Sequence, residues 1–318
     1  RQEAEPGIAP ANKEECIFPC FSQRTGKVMR IALDALKGHS LNVERSGSGP
    51  NTIIAIHGFT GSAAIWDSFV EAAGNDYSVI RPELQGHGKS DAPDNPKVSD
   101  MEHTIQALAE IADRMDVKQA HWLGYSLGGR IALAAAVSLQ GRVLSLTVES
   151  ASAGIDDIKE RKTRKESDNA LADKIEKGSI QKFVDYWEAQ SIFGSQTRLP
   201  REIRGKLRAE RLKNYTKGLA NSLRGIGVGI QTPLYKKLSS VEFPCLFIAG
   251  EEDTRYSDIA RRMHDSISRS HIFIAIQSGH AVHLEQPEMF NRAVLRFLKM
   301  ADTLRGIPQA QPGSQPSQ

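Results

Sequence analysis

Three side chains have the types and the order needed to activate a hydroxyl. Ser126 lies in Gly124-Tyr125-Ser126-Leu127-Gly128, which fits G-x-S-x-G, the sharp strand-to-helix turn that lifts a serine above the end of a parallel sheet. The glycines have a steric reason, because the strained backbone at the serine leaves no space for neighbouring Cβ atoms. A serine hydroxyl is a poor nucleophile or base until a histidine takes its proton, and that histidine works best when a carboxylate fixes its tautomer. In the order Ser, acid, His, the chain offers Asp253 after the strand-like run ending at Gly250, and His280 in Ser278-Gly279-His280 after the last such run. Asp253 is expected as the orienting acid, with Glu251 and Glu252 as alternatives. His280 is expected as the base, with His283 as its rival. An oxyanion needs two preorganised backbone donors, here the amides of Leu127, directly after the serine, and Phe59, in the loop His57-Gly58-Phe59. His57 and His87 read first as braces of their loops.

The elements that must position these residues alternate. Lys27 to Leu33 and Ser40 to Arg45 read as a hairpin that starts a sheet. Short, continuous apolar runs follow at 52–56, 77–81, 120–123, 142–148, 244–250 and 271–276, as strands buried on both faces should read. Helical spacing occupies 62–73, 101–115, 256–267 and 287–300, and good helix formers follow Ser126. The pattern predicts an α/β architecture, a mostly parallel sheet covered on both faces. Between 150 and 241 the alternation stops, and amphipathic helices rich in Lys and Arg predict an inserted helical lid. The expected organisation is a tail or linker over 1–26, a core over 27–149 and 242–300, the lid between them, and a disordered tail over 301–318.

Composition narrows the function classes. A chain of 318 residues, 40% hydrophobic and 25% charged, has the balance of a globular protein with a sizeable core. Forty-one Lys and Arg against 38 Asp and Glu give +3, too near neutral for a nucleic-acid partner, so any electrostatic message is local. No run approaches the ~20 apolar residues of a membrane span, so no stable membrane insertion is expected. Cys16 and Cys20 lack metal-ligand spacing and histidine support, Cys245 falls in a predicted buried strand, and neither a metal nor a cofactor is expected. The start at Arg1 suggests a piece excised from a longer polypeptide.

Arg130 sits one helical turn after Ser126 and so projects toward the same pocket. Such a cation is costly at the mouth of a pocket for neutral lipid esters, whereas it forks readily onto a substrate carboxylate. Arg161, Arg164, Arg208 and Arg211 repeat that message in the expected lid.

The motifs His57-Gly58, Gly86-His87-Gly88-x-Ser90, the serine pentapeptide, Asp253 and Gly279-His280 resemble the α/β-hydrolase superfamily over roughly residues 27 to 300, which implies an eight-stranded sheet. One departure is Glu83-Leu84-Gln85, where the superfamily often has Asp-Leu-x before Gly-His-Gly. Gly124 to Leu133, Ser150 to Gly154, Arg161-x-x-Arg164-x-x-x-Asp168, Phe183-Val184-x-x-Trp187, Gly218 to Gly225 and Gly279 to Glu285 further resemble the 2-succinyl-6-hydroxy-2,4-cyclohexadiene-1-carboxylate synthases of menaquinone and phylloquinone biosynthesis. That resemblance implies a cofactor-free carbon-oxygen lyase that eliminates pyruvate from a small-molecule tricarboxylate. Its triad would be Ser126, Asp253 and His280. Arg130, Arg164 and Trp187 would hold substrate, with Arg208 and Arg211 as rivals for a third arginine and Tyr125 and His57 added to the binding set. A plant or algal domain of this kind would be fused to, or associated with, other enzymes of the pathway in the plastid stroma, and a bacterial one would be cytoplasmic. The alternatives are a serine esterase, a carbon-carbon bond hydrolase, and a ligand-sensing receptor of the same fold; Ser126 excludes an aspartate nucleophile.

Overall fold

The computed structural model describes residues 26–306, so the expected tail over 1–26, apart from Gly26, lies outside the described residues with Cys16 and Cys20, as do residues 307–318. A hairpin of β1 (Lys27–Ala32) and β2 (Ser40–Ser46) leads into β3 (Asn51–Ile56), α1 (Asp67–Ala73), β4 (Tyr77–Pro82), α2 (Met101–Arg114) and β5 (Ala120–Tyr125). Then come α3 (Leu127–Ser138) and β6 (Val143–Glu149). The inserted helices are α4 (Ile158–Lys177), α5 (Ile180–Glu188), α6 (Arg201–Arg211), α7 (Thr216–Ile226) and the short α8 (Tyr235–Leu238). The chain closes with β7 (Cys245–Gly250), α9 (Thr254–Asp265), β8 (Ser270–Ala275), the single turn α10 (Val282–Glu285) and α11 (Pro287–Arg305).

The eight strands form one sheet in the order β1-β2-β4-β3-β5-β6-β7-β8. β2 pairs antiparallel with β1 and β4, and every other pairing is parallel. All six residues of β5 and all seven of β6 are buried, the burial that two covered faces impose and that continuous apolar runs satisfy. On one face Leu108, Ile111, Leu133 and Met263 of α2, α3 and α9 close the core; on the other, Phe69 of α1 packs with Phe290, Val294 and Phe297 of α11. The inserted helices have a small core of their own, Ile175, Phe183 and Leu219, against which Phe59 and Trp187 pack.

The last helix corrects the expected start of the C-terminal tail at 301. Its apolar spacing of Phe290, Val294, Phe297 and Leu298 continues to Ala301, and the helix runs on to Arg305. Asp302, one residue further, accepts hydrogen bonds from Asn51 Nδ2 at 2.8 Å and Tyr77 Oη at 3.0 Å and lies 3.2 Å from His121 Nε2. It thus ties the helix to three parallel strands. Among the described residues no helix is long and apolar enough to cross a membrane.

Candidate active site

The sequence places Ser126 between the last residue of β5 and the first of α3, and the chain there turns through φ 51°, ψ −110°. That turn needs bare backbone on both sides. A Cβ on Gly124 would lie 2.2 Å from the Gly128 carbonyl oxygen, and one on Gly128 would lie 2.2 Å from that of Ile56, far inside contact distance. Asp253 follows β7 and His280 follows β8, so parallel pairing delivers all three side chains to one end of the sheet. His280 Nε2 lies 3.1 Å from Ser126 Oγ, and His280 Nδ1 lies 2.6 Å from Asp253 Oδ2. The second carboxylate oxygen of Asp253 accepts the Tyr256 amide at 3.4 Å, and the Tyr256 ring stands edge-on to His280 at 4.8 Å. With Nδ1–H given to the carboxylate, Nε2 is left to accept the serine proton.

Phe59 and Leu127 line the same cavity as Ser126, and among the described residues neither backbone amide has a hydrogen-bond acceptor. Both are therefore available to an oxyanion. The loop bearing Phe59 is fixed from several sides. His57 Nδ1 contacts the Gly58 carbonyl at 2.7 Å, and His57 Nε2 accepts the Leu84 amide at 3.0 Å. Asn214, from the loop after α6, donates to the Thr60 carbonyl at 2.9 Å and accepts the Gly88 amide at 3.1 Å. Burial holds His57 neutral, with its pKa lowered to about 3, and lowers that of its neighbour His87 to about 4. Glu83, the departure from the superfamily pattern, does the work of the shorter acid: its carboxylate accepts the amides of Lys89 at 2.7 Å and Ala63 at 3.4 Å and the side chain of Asn42 at 3.2 Å. Burial raises its pKa.

The cavity, about 450 Å³, lies between the strand ends and the inserted helices. Tyr125, Arg130, Arg164, Trp187 and Arg211 line it, and Arg208 and His57 do not. His57 is fully buried between two loops, which corrects the expectation that it binds substrate. Arg208 is turned outward on α6 and is held by Glu188 at 2.7 Å and Asp185 at 2.6 Å, which removes it from the set of rivals for substrate. Arg211, three residues on, faces inward but is held by Glu188 at 2.9 Å and Gln196 at 3.2 Å. Arg161 donates to the Ile155 carbonyl and stays outside the cavity.

Arg130 is different. Its terminal nitrogens donate to neutral acceptors, Gln231 Oε1 at 2.8 Å and the Ile226 carbonyl at 2.7 Å, and among the described residues no carboxylate lies within ion-pair distance of it. Burial lowers its pKa to about 10, which still leaves it charged at neutral pH. Arg164 gives only Nε to Asp168, at 2.7 Å, and Asp168 is itself pinned by the Gly229 amide at 3.2 Å. Sequence reasoning missed Arg255, which also lines the cavity, as well as Asn214 and Glu149. No group of side chains suited to a metal ion occurs among the described residues.

The model of the alpha/beta hydrolase family matches residues 53–293. The chain is 38% identical over 253 residues, 79% of its length and 92% of the relative, to the Bacillus subtilis (strain 168) protein named "Putative 2-succinyl-6-hydroxy-2,4-cyclohexadiene-1-carboxylate synthase". It is 27% identical over 288 residues to Protein PHYLLO, chloroplastic, of Arabidopsis thaliana, covering 85% of this chain and 17% of that protein. Among solved structures, MenH from S. aureus aligns with a TM-score of 0.79 and 29% identity over 82% of this chain and 98% of that one.

Proposed function

The chain belongs to the alpha/beta hydrolase family and, within it, to the 2-succinyl-6-hydroxy-2,4-cyclohexadiene-1-carboxylate synthases, and from that premise we propose that Ser126, His280 and Asp253 eliminate pyruvate from 2-succinyl-5-enolpyruvyl-6-hydroxy-3-cyclohexene-1-carboxylate. The chain is thus a lyase of menaquinone or phylloquinone biosynthesis. The single observation that carries the assignment of this site is that Arg130, half-buried and hydrogen-bonded to neutral acceptors with no carboxylate within ion-pair distance among the described residues, opens on the same cavity as Ser126. A guanidinium set back from solvent against neutral acceptors is open to the stronger, charge-assisted contact of a ligand carboxylate, and a substrate with three carboxylates supplies it.

The bond changes follow from the two names. The ring double bond at C3 becomes a pair at C2 and C4, so a proton leaves C2 and the enolpyruvyl oxygen leaves C5. Ser126 Oγ, giving its own proton to His280 Nε2, removes the C2 proton. Negative charge spreads onto the succinyl ketone oxygen, which the amides of Phe59 and Leu127 receive. As the C5–O bond breaks, the imidazolium returns a proton to the departing enolpyruvate, which leaves as pyruvate. The balance needs neither water nor an acyl-enzyme. Arg130 and Arg164 hold carboxylates, and Trp187 and Tyr125 wall the ring. The inserted helices act as the lid. The compartment in this reading is that of the pathway: the plastid stroma where such a domain is part of a fused enzyme, the bacterial cytoplasm where it stands alone.

The experiment is pyruvate release from that substrate by the parent protein and by Ser126→Ala, beside a p-nitrophenyl ester. Release that the variant loses, with negligible ester hydrolysis, is expected. Rapid ester turnover without pyruvate would overturn the reading in favour of a hydrolase.

A further inference from the structure

We infer that Asp168 is a positioning residue for substrate binding: its carboxylate holds Arg164 directly and, through the loop 227–231, also holds Arg130, so that the two guanidinium groups face the cavity as one preset pair. This rests on the reading above that both arginines bind substrate carboxylates. Asp168 lies on α4 four residues after Arg164, on the same helix face, and is 5% exposed. Its Oδ1 accepts Arg164 Nε at 2.7 Å, and its Oδ2 accepts the Gly229 amide at 3.2 Å. One oxygen thus serves a side chain and the other a backbone, and Asp168 stands in the cavity wall with both engaged.

The loop that Asp168 pins is the one that holds Arg130. Ile226 and Gln231 bracket it, and the Ile226 carbonyl and Gln231 Oε1 accept the terminal nitrogens of Arg130 at 2.7 Å and 2.8 Å. The loop lies flat on α4 because Gly229 is bare: a Cβ there would stand 2.2 Å from the Lys165 amide nitrogen. A charged acceptor has an electrostatic task as well, since two cations on one cavity wall repel each other. Burial is the largest influence against the Arg130 charge and Arg164 opposes it further, while Tyr256 and Asp168 favour it. Long side chains fixed before a ligand arrives spare the binding step the cost of ordering them.

The test is KM and kcat for 2-succinyl-5-enolpyruvyl-6-hydroxy-3-cyclohexene-1-carboxylate in Asp168→Ala, in Asp168→Asn, and in Asp302→Ala, which loses a carboxylate at the opposite strand ends. Removing Asp168 makes the cavity more positive, and charge alone would lower KM for an anion. Lost positioning acts the other way: Asp168→Ala is expected to raise KM about tenfold with kcat within about threefold. Asp168→Asn, which keeps the shape and one acceptor, recovers part of the loss, and Asp302→Ala leaves KM unchanged. Arg164→Ala costs less in Asp168→Ala than in the parent, because the two act as a unit. A folded Asp168→Ala with KM below the parent's or within about twofold of it overturns the inference. Where Asp168→Ala does not fold, Asp168→Asn is held to the same outcomes. Nitrogen-15 spectra of the arginine side chains without substrate keep the two readings apart. In Asp168→Ala the Arg164 Nε–H signal, assigned with Arg164→Lys, loses its protection from exchange, and the Arg130 Nη–H signals, assigned with Arg130→Lys, broaden. Arg130 signals that do not change overturn the inference. A parent that releases no pyruvate yet shows both spectral changes overturns the synthase reading alone.

Discussion

Glu149 accepts the backbone amide of His283 at 3.0 Å and stands 2.8 Å from its Nδ1, so that this histidine, three residues after His280, is tied to the end of β6, while His280 is the one that reaches the serine. Both side chains are buried, and His283 packs on the rings of Trp66 and Tyr125. Glu285 clasps the same loop from the other side through the amides of Gly279 at 2.8 Å and Ala281 at 3.2 Å. The two histidines that the sequence left as rivals therefore have separate tasks. Replacing His280 by Ala should lower kcat by about 10³-fold or more, as removal of a triad member does. His283→Gln should keep the greater part of kcat. Glu149→Ala should instead cost about 2–4 kcal/mol of stability, because it strands buried donors. Steady-state kinetics and urea unfolding check the set, and a His283→Gln enzyme as dead as His280→Ala would contradict it.

Arginine substitutions should split by what each guanidinium holds. Arg130→Ala should raise KM about 10- to 100-fold, the scale of losing charge-assisted hydrogen bonds to a substrate carboxylate. Arg208→Ala, which removes a half-exposed surface pair, should leave KM within about twofold. Equal losses at the two positions would place the carboxylates elsewhere.

Acid should weaken the fold through His57 and His87. Their folded pKa values, about 3 and about 4, lie below the ordinary 6.5, so the unfolded chain takes up protons first as pH falls. Stability from keeping them neutral is fully present above pH 6.5 and is lost progressively toward about pH 4 for His87 and about pH 3 for His57. Each group contributes about 1.4 kcal/mol per pH unit in that window at most. Urea midpoints at pH 7.0 and 5.5 test this, and His87→Asn should flatten the slope. A parent whose midpoint does not move would refute the assignment.

Asp302→Ala should destabilise the protein by about 2–4 kcal/mol, since it leaves Asn51, Tyr77 and His121 short of an acceptor within the sheet. The site is at the opposite strand ends, so kcat and KM of the remaining folded enzyme should match the parent. Differential scanning calorimetry beside kinetics separates the two effects.

The strands and the order of Ser126, Asp253 and His280 were legible because burial on two faces and the strand-to-helix turn leave local signatures. Tertiary partners leave none. Arg208 and Arg211 share a helix and a charge, and only the orientation of α6 against α5 sends one outward and the other toward the cavity. Asp302 read as the start of a tail because its partners lie up to 251 residues away in the chain. Glu83 stood out only as a departure from the superfamily pattern; its extra methylene is absorbed by the space above Gly88, where a Cβ would sit 2.4 Å from the carboxylate.

Arg130 rides on the helix that follows the serine, while Arg164 rides on the inserted segment. Before turnover, one molecule with three carboxylates can strap the two halves together. In the proposed reaction elimination divides that strap: the ring keeps two carboxylates and the pyruvate carries one away, so each product grips with fewer anions than the substrate did. On that proposal the hold on the reacting molecule weakens in the same event that makes the products.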